Sequence, residues 1–204
     1  MRRAWRWSIA ALPLLLLVAC APRQLVRLPG NAAMLAQQQA REKQLAAVTH
    51  WTLRGRLGVS DGHHGGSGSL TWTQDGDRYA FELQGPALSG VDFRLVGGPD
   101  GATLNGVRGG PLHGPDAETL MQAALGWTVP LRDLRAWVLG LRADSGPASL
   151  RFGDNHLPSL LQQDGWTVDY RAWDSQRQPP LPTTIFASKP PYKVRLAVES
   201  WSIR

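Results

Sequence analysis

"WTLRGRLGV", residues 51 to 59, alternates by parity: Trp51, Leu53, Leu57 and Val59 are apolar, while Thr52, Arg54 and Arg56 are polar. A period of two marks a strand with one dry face and one wet face. The alternation recurs in Leu70 and Trp72, in Tyr79, Phe81 and Leu83, and in Val91, Phe93 and Leu95. The turn signals "DGHHGGSG" and "QDGD" lie between the runs. Together they predict antiparallel strands joined by hairpins.

Two short helices interrupt this pattern on the C-terminal side. Asp116 is placed to cap "AETLMQAALG", and Pro130 opens "LRDLRAWVLG", which Gly140 ends. Strands resume in "ASLRF", "SLLQQ", "WTVDYRA", "TTIFA" and "VRLAVESW". On the N-terminal side, Asn31 can cap "NAAMLAQQQAREKQLAAV", whose composition favours a helix. Its apolar stripe is weak, running through Leu35, Gln38, Glu42, Leu45 and Val48, and suits a helix on the edge or mouth of a sheet. Roughly nine to eleven strands and three helices in this order predict a mainly β fold, a strongly curved antiparallel sheet or open barrel.

The first residues are of a different kind. Arg2, Arg3 and Arg6 precede an apolar run from Ile9 to Ala19, interrupted by Pro13. That run is too short for a bilayer span, which needs about 20 apolar residues, and has the form of a secretory signal. Its exit, Leu17-Val18-Ala19-Cys20, resembles a bacterial lipobox. In such a box the cysteine sulfur receives a diacylglyceryl group, and cleavage makes the cysteine N-terminal and open to N-acylation. Cys20 is the only cysteine in the chain, so no disulfide competes for it. The expected organisation is a signal peptide over residues 1–19, a lipid anchor and tether over 20–30, and a single domain over 31–204. The signal holds three of the 22 basic residues and none of the 16 acidic ones, leaving the mature chain near +3. That balance gives no footprint for nucleic acid.

Chemistry by motif is sparse. His50, His63, His64, His113 and His156 fall near turns and element ends at irregular spacing, without the carboxylate or thiol spacing of a metal site. A nucleophile elbow, a phosphate-cradling glycine loop and paired carboxylates on matched strand ends are all missing. Binding, and not catalysis, is the expectation, with no metal and no catalytic residue. The aromatic content is more informative: Trp51, Trp72, Trp127, Trp137, Trp166, Trp173 and Trp201 all lie beyond the signal. A sheet curved around such bulk and covered by short helices can leave a cavity.

Five stretches now carry a resemblance: "WTLRGRLGV", "GSLTWTQDGDRYAFELQGPALSG", "LGWTVPLRDLRAWVLG", "LLQQDGWTVDYRAW" and "LPTTIFA", closing on Trp201. In that order and spacing the chain resembles the LolB family of outer-membrane lipoprotein receptors. The resemblance implies an unclosed antiparallel β-barrel of the LolA/LolB kind, with helices as a lid over an apolar cavity. It implies a receptor that takes the acyl chains of cargo lipoproteins from a soluble, LolA-like periplasmic carrier and inserts the cargo into outer-membrane lipid without nucleotide hydrolysis. A monomer is expected. No cofactor is expected beyond the diacylglyceryl and N-acyl groups on Cys20.

Site residues follow from the same resemblance combined with strand parity. The cavity is expected to draw on Trp51, Leu53, Leu57, Leu70, Trp72, Tyr79, Phe81, Val91, Phe93, Trp166, Val168 and Tyr170. Lid candidates are Leu120, Leu125, Leu134, Trp137 and Val138. In the family a leucine in a Pro-Leu-Gly type turn delivers cargo into the membrane. Here that loop reads "QGPALSGVD", so Leu88 matches, with Ala87 inserted after Pro86 and the glycine at Gly90. Ala21 lacks the acidic character of the inner-membrane retention signal, which implies outer-membrane residence facing the periplasm. Two other readings stay open, a lipid-anchored assembly or scaffold protein and a lipid-anchored hydrolase.

Overall fold

Two antiparallel meanders, joined by the last strand of one and the first strand of the other, build the sheet. The computed structural model describes residues 25–86, 92–127 and 130–204. One meander comprises β2 (His50–Ser60), β3 (Gly65–Asp75), β4 (Arg78–Gln84), β5 (Asp92–Gly98), β6 (Gly101–Asn105) and β7 (Leu112–Gly114). The other comprises β8 (Ala148–Phe152), β9 (Pro158–Gln163), β10 (Trp166–Asp174), β11 (Leu181–Lys189) and β12 (Tyr192–Ile203), with β1 (Leu28–Pro29) added at its edge. The last strand, β12, pairs with β2, giving the order β1-β8-β9-β10-β11-β12-β2-β3-β4-β5-β6-β7. The edges β1 and β7 do not pair with each other, so this is the unclosed antiparallel barrel that the alternation predicts.

Register turns the parity of each strand into one continuous apolar surface. Leu53 faces Trp72, Trp72 faces Phe81, Phe81 faces Leu95 and Leu95 faces Leu104, all of them buried. On the other meander a row runs from Val59 through Val194, Ala187 and Val168 to Leu161. A ladder of rings runs through the same face, Trp201, Trp51, Trp72, Phe81, Phe93 and Trp127, with successive centroids 5.2 to 6.1 Å apart. Four of these contacts are tilted or edge-on and one, Phe81 on Phe93, is stacked, arrangements that suit the ring quadrupoles and add to area burial. Where β12 bulges between Val198 and Ser200, its backbone presses on β2, and a Cβ at Gly55 would lie 2.2 Å from the Ala197 carbonyl oxygen. Only glycine fits there.

Three helices lie against this face. Helix α1 (Ala32–Ala46) starts at Asn31, whose side chain accepts from the Met34 N–H at 2.9 Å. Helix α2 (Ala117–Leu125) starts at Asp116, which accepts from the Thr119 N–H at 2.7 Å, and stops at Gly126 in the left-handed region. Helix α3 (Leu131–Val138) follows Pro130 and buries Leu131, Leu134, Trp137 and Val138 along one side.

Two expectations are corrected. The buried face of α1 is Met34, Gln38, Arg41 and Leu45, whereas Leu35 of the expected stripe is exposed. Arg41 turns inward because main-chain carbonyls await it there, a contact that polarity patterning counts as solvent. The stretch taken as tether also ends on the sheet, for Leu28 and Pro29 pair with Phe152 and Arg151, and Arg27 forms an ion pair with Asp169.

Candidate functional site

Helix α3 spans the concave face, and between them lies a cavity whose described lining is entirely apolar. Leu57, Val59, Leu70, Trp72 and Phe81 come from β2 to β4, and Ile185, Ala187, Val194 and Leu196 from β11 and β12. The roof is Leu131, Leu134, Trp137 and Val138 of α3, with Met121 of α2 and the following Trp127. Its volume is about 30 Å³, room for a few waters at most and not for an acyl chain. An acyl chain would fit there only with α3 and the sheet farther apart.

Beside it, sharing Trp72, Phe81 and Leu131, is a roomier mouth of about 480 Å³. Gln74, Tyr79, Asp77, Asp116, Glu118, Arg132 and Arg135 give this mouth a polar rim. Tyr79 lies over Gly97, where a Cβ would meet its hydroxyl at 2.2 Å. Burial, with Glu118 and Asp116 adding to it, raises the Tyr79 phenol above its ordinary value, so the ring presents a neutral hydroxyl. Arg135 reaches Asp77 at 3.7 Å, and the Arg132 N–H donates to Glu118 Oε1 at 3.0 Å.

The two ends of α3 are held differently. At its C-terminal end the Tyr170 hydroxyl donates to the Trp137 carbonyl at 3.1 Å, and Trp137 Nε1 donates to Gln163 Oε1 at 3.2 Å. Gln163 in turn accepts from the Ala143 N–H at 2.9 Å and donates to the Gly146 carbonyl at 2.9 Å. Arg41 donates to the Leu139 carbonyl, to Gly140 at 2.8 Å and to Pro180 at 2.9 Å, and Gln38 adds a bond to Gly140 at 3.1 Å. Burial pulls the Arg41 guanidinium down to about 10, against raising effects of Tyr170 and Glu42, so it stays a cation at neutral pH. At the N-terminal end of α3, Pro130 offers no cap, and the Arg132 amide is held instead by Glu118 of α2, beside the mouth that Leu131 and Arg132 line.

The structure sorts the residues expected from parity. Leu57, Leu70, Trp72 and Phe81 line the cavity and Tyr79 the mouth, whereas Trp51, Leu53, Phe93, Trp166, Val168 and Tyr170 are buried in the surrounding core. Of the lid candidates, Leu134, Trp137 and Val138 line the roof. Leu120 is instead buried beside Gly114, and Leu125 packs on the core. Val59, Met121, Trp127, Leu131 and the four liners from β11 and β12 had not been picked out. Their strands and helices were readable, but which residues face α3 depends on where that helix crosses. Pro86 is exposed, while Cys20, Leu88, Gly90 and Val91 lie outside the described residues.

An open antiparallel barrel with an apolar interior and a helical roof defines a lidded container for an apolar ligand. The chain belongs to the LolB family: the family model described as Outer membrane lipoprotein LolB matches residues 49–201. An outer-membrane lipoprotein LolB from Xanthomonas axonopodis pv. citri is 40% identical over 171 residues, covering 81% of this chain and 78% of that protein. One from Pseudomonas fluorescens is 35% identical over 190 residues, covering 91% and 90%. Among solved structures, a LolA superfamily protein from Nitrosomonas europaea has a TM-score of 0.50 at 11% identity, covering 82% of this chain and 93% of that one. A DUF1329 family protein from Desulfovibrio piger has a TM-score of 0.54 at 7% identity, covering 82% and 90%. At such identities these two speak for the fold alone.

Proposed function

We propose that this protein acts in lipoprotein localisation at the outer membrane, receiving the acyl chains of lipoproteins into the cavity under α3 and passing them to the bilayer. The observation that carries this reading is the all-apolar cavity between the concave face and α3. Burying acyl chains is worth about 0.8 kcal/mol per methylene, so three chains exposed to water would cost on the order of tens of kcal/mol. A container of this kind removes that cost during transfer, and membership of the LolB family supports lipoproteins as the cargo.

The finer steps belong to the same proposal. A soluble, LolA-like periplasmic carrier is the donor, Cys20 is the lipid attachment point that keeps the receptor facing the periplasm, and Leu88, between β4 and β5 in the sequence, leads cargo into the membrane. Work is done by binding alone, with the bilayer as the final sink. The direct test is transfer of a lipoprotein from its carrier to a Cys20→Ala form made without the lipid anchor. Transfer is expected to persist, and a form that takes up no lipoprotein and no fatty acyl probe would refute the reading.

A further inference from the structure

The back of the sheet, the side turned away from α3, carries positive charge that the fold does not use. Strand parity places Arg54 and Arg56 of β2 and Lys193 and Arg195 of β12 there, because Leu53, Leu57, Val194 and Leu196 turn inward. Arg171, at the irregular step of β10, joins them by lying over the Phe186 ring. All five cations are exposed. Strands β10, β11, β12 and β2 are fourth to seventh in the order of twelve, so the cations occupy the crest of the convex side. A crest is the part that first meets a flat surface.

Register keeps their heads clear. Arg56 stands between Ala197 and Ser69, Arg54 between Ser200 and Thr71, and Lys193 between Ser188 and Ser60. Neighbours this short let long side chains rise above the sheet. Arg195 and Arg171 lie 5.3 and 5.0 Å from the Phe186 ring centroid, a contact that holds each guanidinium and leaves its N–H groups for an oxyanion.

The acids nearby are already engaged. Asp169 pairs with Arg27 and lies 3.9 Å from Arg171, Asp174 faces Arg177 at 3.8 Å, and Glu82 pairs with Arg94 at 2.7 Å. Glu199, at the bulge of β12, is the remaining acid on these four strands and is exposed. Among the described residues, Arg54, Arg56, Lys193 and Arg195 pair with no carboxylate.

Two features favour lipid phosphate over a protein as the partner. The centre of a protein interface is rich in aromatic groups and poor in charge, whereas the large apolar side chain here, Phe186, has a cation on either side. The N-terminal tether also arrives at this face, since Arg27 is bound to Asp169, whose cross-strand neighbour is Phe186. Seven residues separate Cys20 from Arg27, a reach of about 25 Å at most. An anchor at Cys20 therefore keeps the patch close to the bilayer.

We propose that the convex back of the sheet lies on the membrane, binding the phosphate groups of anionic phospholipid through Arg54, Arg56, Arg171, Lys193 and Arg195. This rests on the reading of Cys20 as the lipid anchor. A protein held this way turns α3 and the mouth away from the bilayer, toward the periplasm from which a carrier comes. Gln84, the last residue of β4, is in line with Ser69 and Arg56, so β4 ends two strands, about 10 Å, from the patch.

Vesicle flotation of the mature chain carrying Cys20→Ala tests the proposal, since no anchor then holds the protein to lipid. The probes are vesicles of phosphatidylcholine alone and of phosphatidylcholine with about one third phosphatidylglycerol. The protein is expected to float with the anionic vesicles and not with the others, and to be released by about 0.5 M salt. Each charge removed should lower partition about fivefold, so Arg54→Gln with Arg56→Gln is expected to cost about 25-fold, and Arg171→Gln with Arg195→Gln a similar factor. Lys43→Gln with Arg108→Gln, which removes the same charge from α1 and from the segment between β6 and β7, should change partition by less than about twofold. Equal flotation with both vesicles, or equal losses in all three double variants, would overturn the proposal. So would variants that still float normally but no longer accept lipoprotein from the carrier, because the face would then dock a protein. Mass spectrometry of membrane-extracted protein tests the anchor separately: an unmodified Cys20 alongside intact vesicle binding refutes the anchor and leaves the membrane face standing.

Discussion

The guanidinium of Arg41 stands 4.8 Å from the ring centroid of Trp173, and the edge of the same indole would lie 2.4 Å from a Cβ at Gly140. Helix α1, strand β10 and the end of α3 thus meet at a single point. Gly140 has a φ of +72°, a conformation that glycine adopts without strain, and its carbonyl and that of Leu139 turn toward the arginine. A cation over an aromatic face that also pairs the last carbonyls of a helix complements the helix dipole.

Arg41→Met is therefore expected to destabilise the protein by about 2 to 4 kcal/mol, because it removes the side-chain donor of the Leu139 and Pro180 carbonyls and leaves Gly140 to Gln38 alone. Arg41→Lys should recover only part of this, since an ammonium cannot reproduce the planar fork that spans Gly140 and Pro180. Urea unfolding checks both, with a lowered midpoint and little change in slope.

Glu42, one residue along α1, carries an acid dependence. Burial alone would raise its carboxyl, but hydrogen bonds from Arg142 and Gln38 more than offset this and hold it below the ordinary value of 4.5. Arg142 donates to it twice, at 2.9 and 2.6 Å. An acid whose pKa is lower in the folded state stabilises the fold above its unfolded pKa, and that contribution fades as pH falls through the folded value. Stability measured from pH 7 downward should start to lose this contribution near pH 4.5 and below. Glu42→Gln should be less stable at neutral pH and show a flatter acid limb.

Cavity volume gives a third prediction. Leu134→Ala removes a roof side chain from a space of about 30 Å³. It is expected to cost about 2 to 5 kcal/mol while opening a dry pocket that admits xenon or benzene. Ala187→Phe works in the opposite sense: it overfills the floor, costs about 1 to 3 kcal/mol and should abolish uptake of a fatty acyl probe. Unfolding titrations and probe fluorescence on the same samples separate stability from access.

Leu88→Glu addresses delivery instead of uptake. A carboxylate entering hydrocarbon is costly, so lipoprotein acceptance should stay close to that of the parent while insertion into liposomes falls. Parallel loss of both steps would make Leu88 a residue of the fold.

Why parity gave the fold so readily, and the site only in part, follows from what each depends on. Trp51, Leu53, Trp72 and Phe81 alternate with polar neighbours because one sheet face is dry, a local property visible within nine or ten residues. Whether a dry residue faces a cavity or packed core depends on a distant element: Val194 and Leu196 line the cavity because α3 crosses them, whereas Val168 and Tyr170 lie in the core. Gln74 and Arg41 were hidden for another reason. Both are polar residues that belong to the inside, and their partners, a turn beside β3 and the end of α3, are set by the assembled chain. Leu28 and Pro29 were hidden by brevity, since two residues carry no period.

That brevity has a consequence of its own. A sheet left unclosed exposes two margins with unpaired peptide groups, the usual template for aggregation. Here one margin is a two-residue strand ending in proline, and the other is the three-residue Leu112–Gly114. Neither offers a length of backbone on which another chain could zip. The protein can therefore keep its barrel open without polymerising edge to edge.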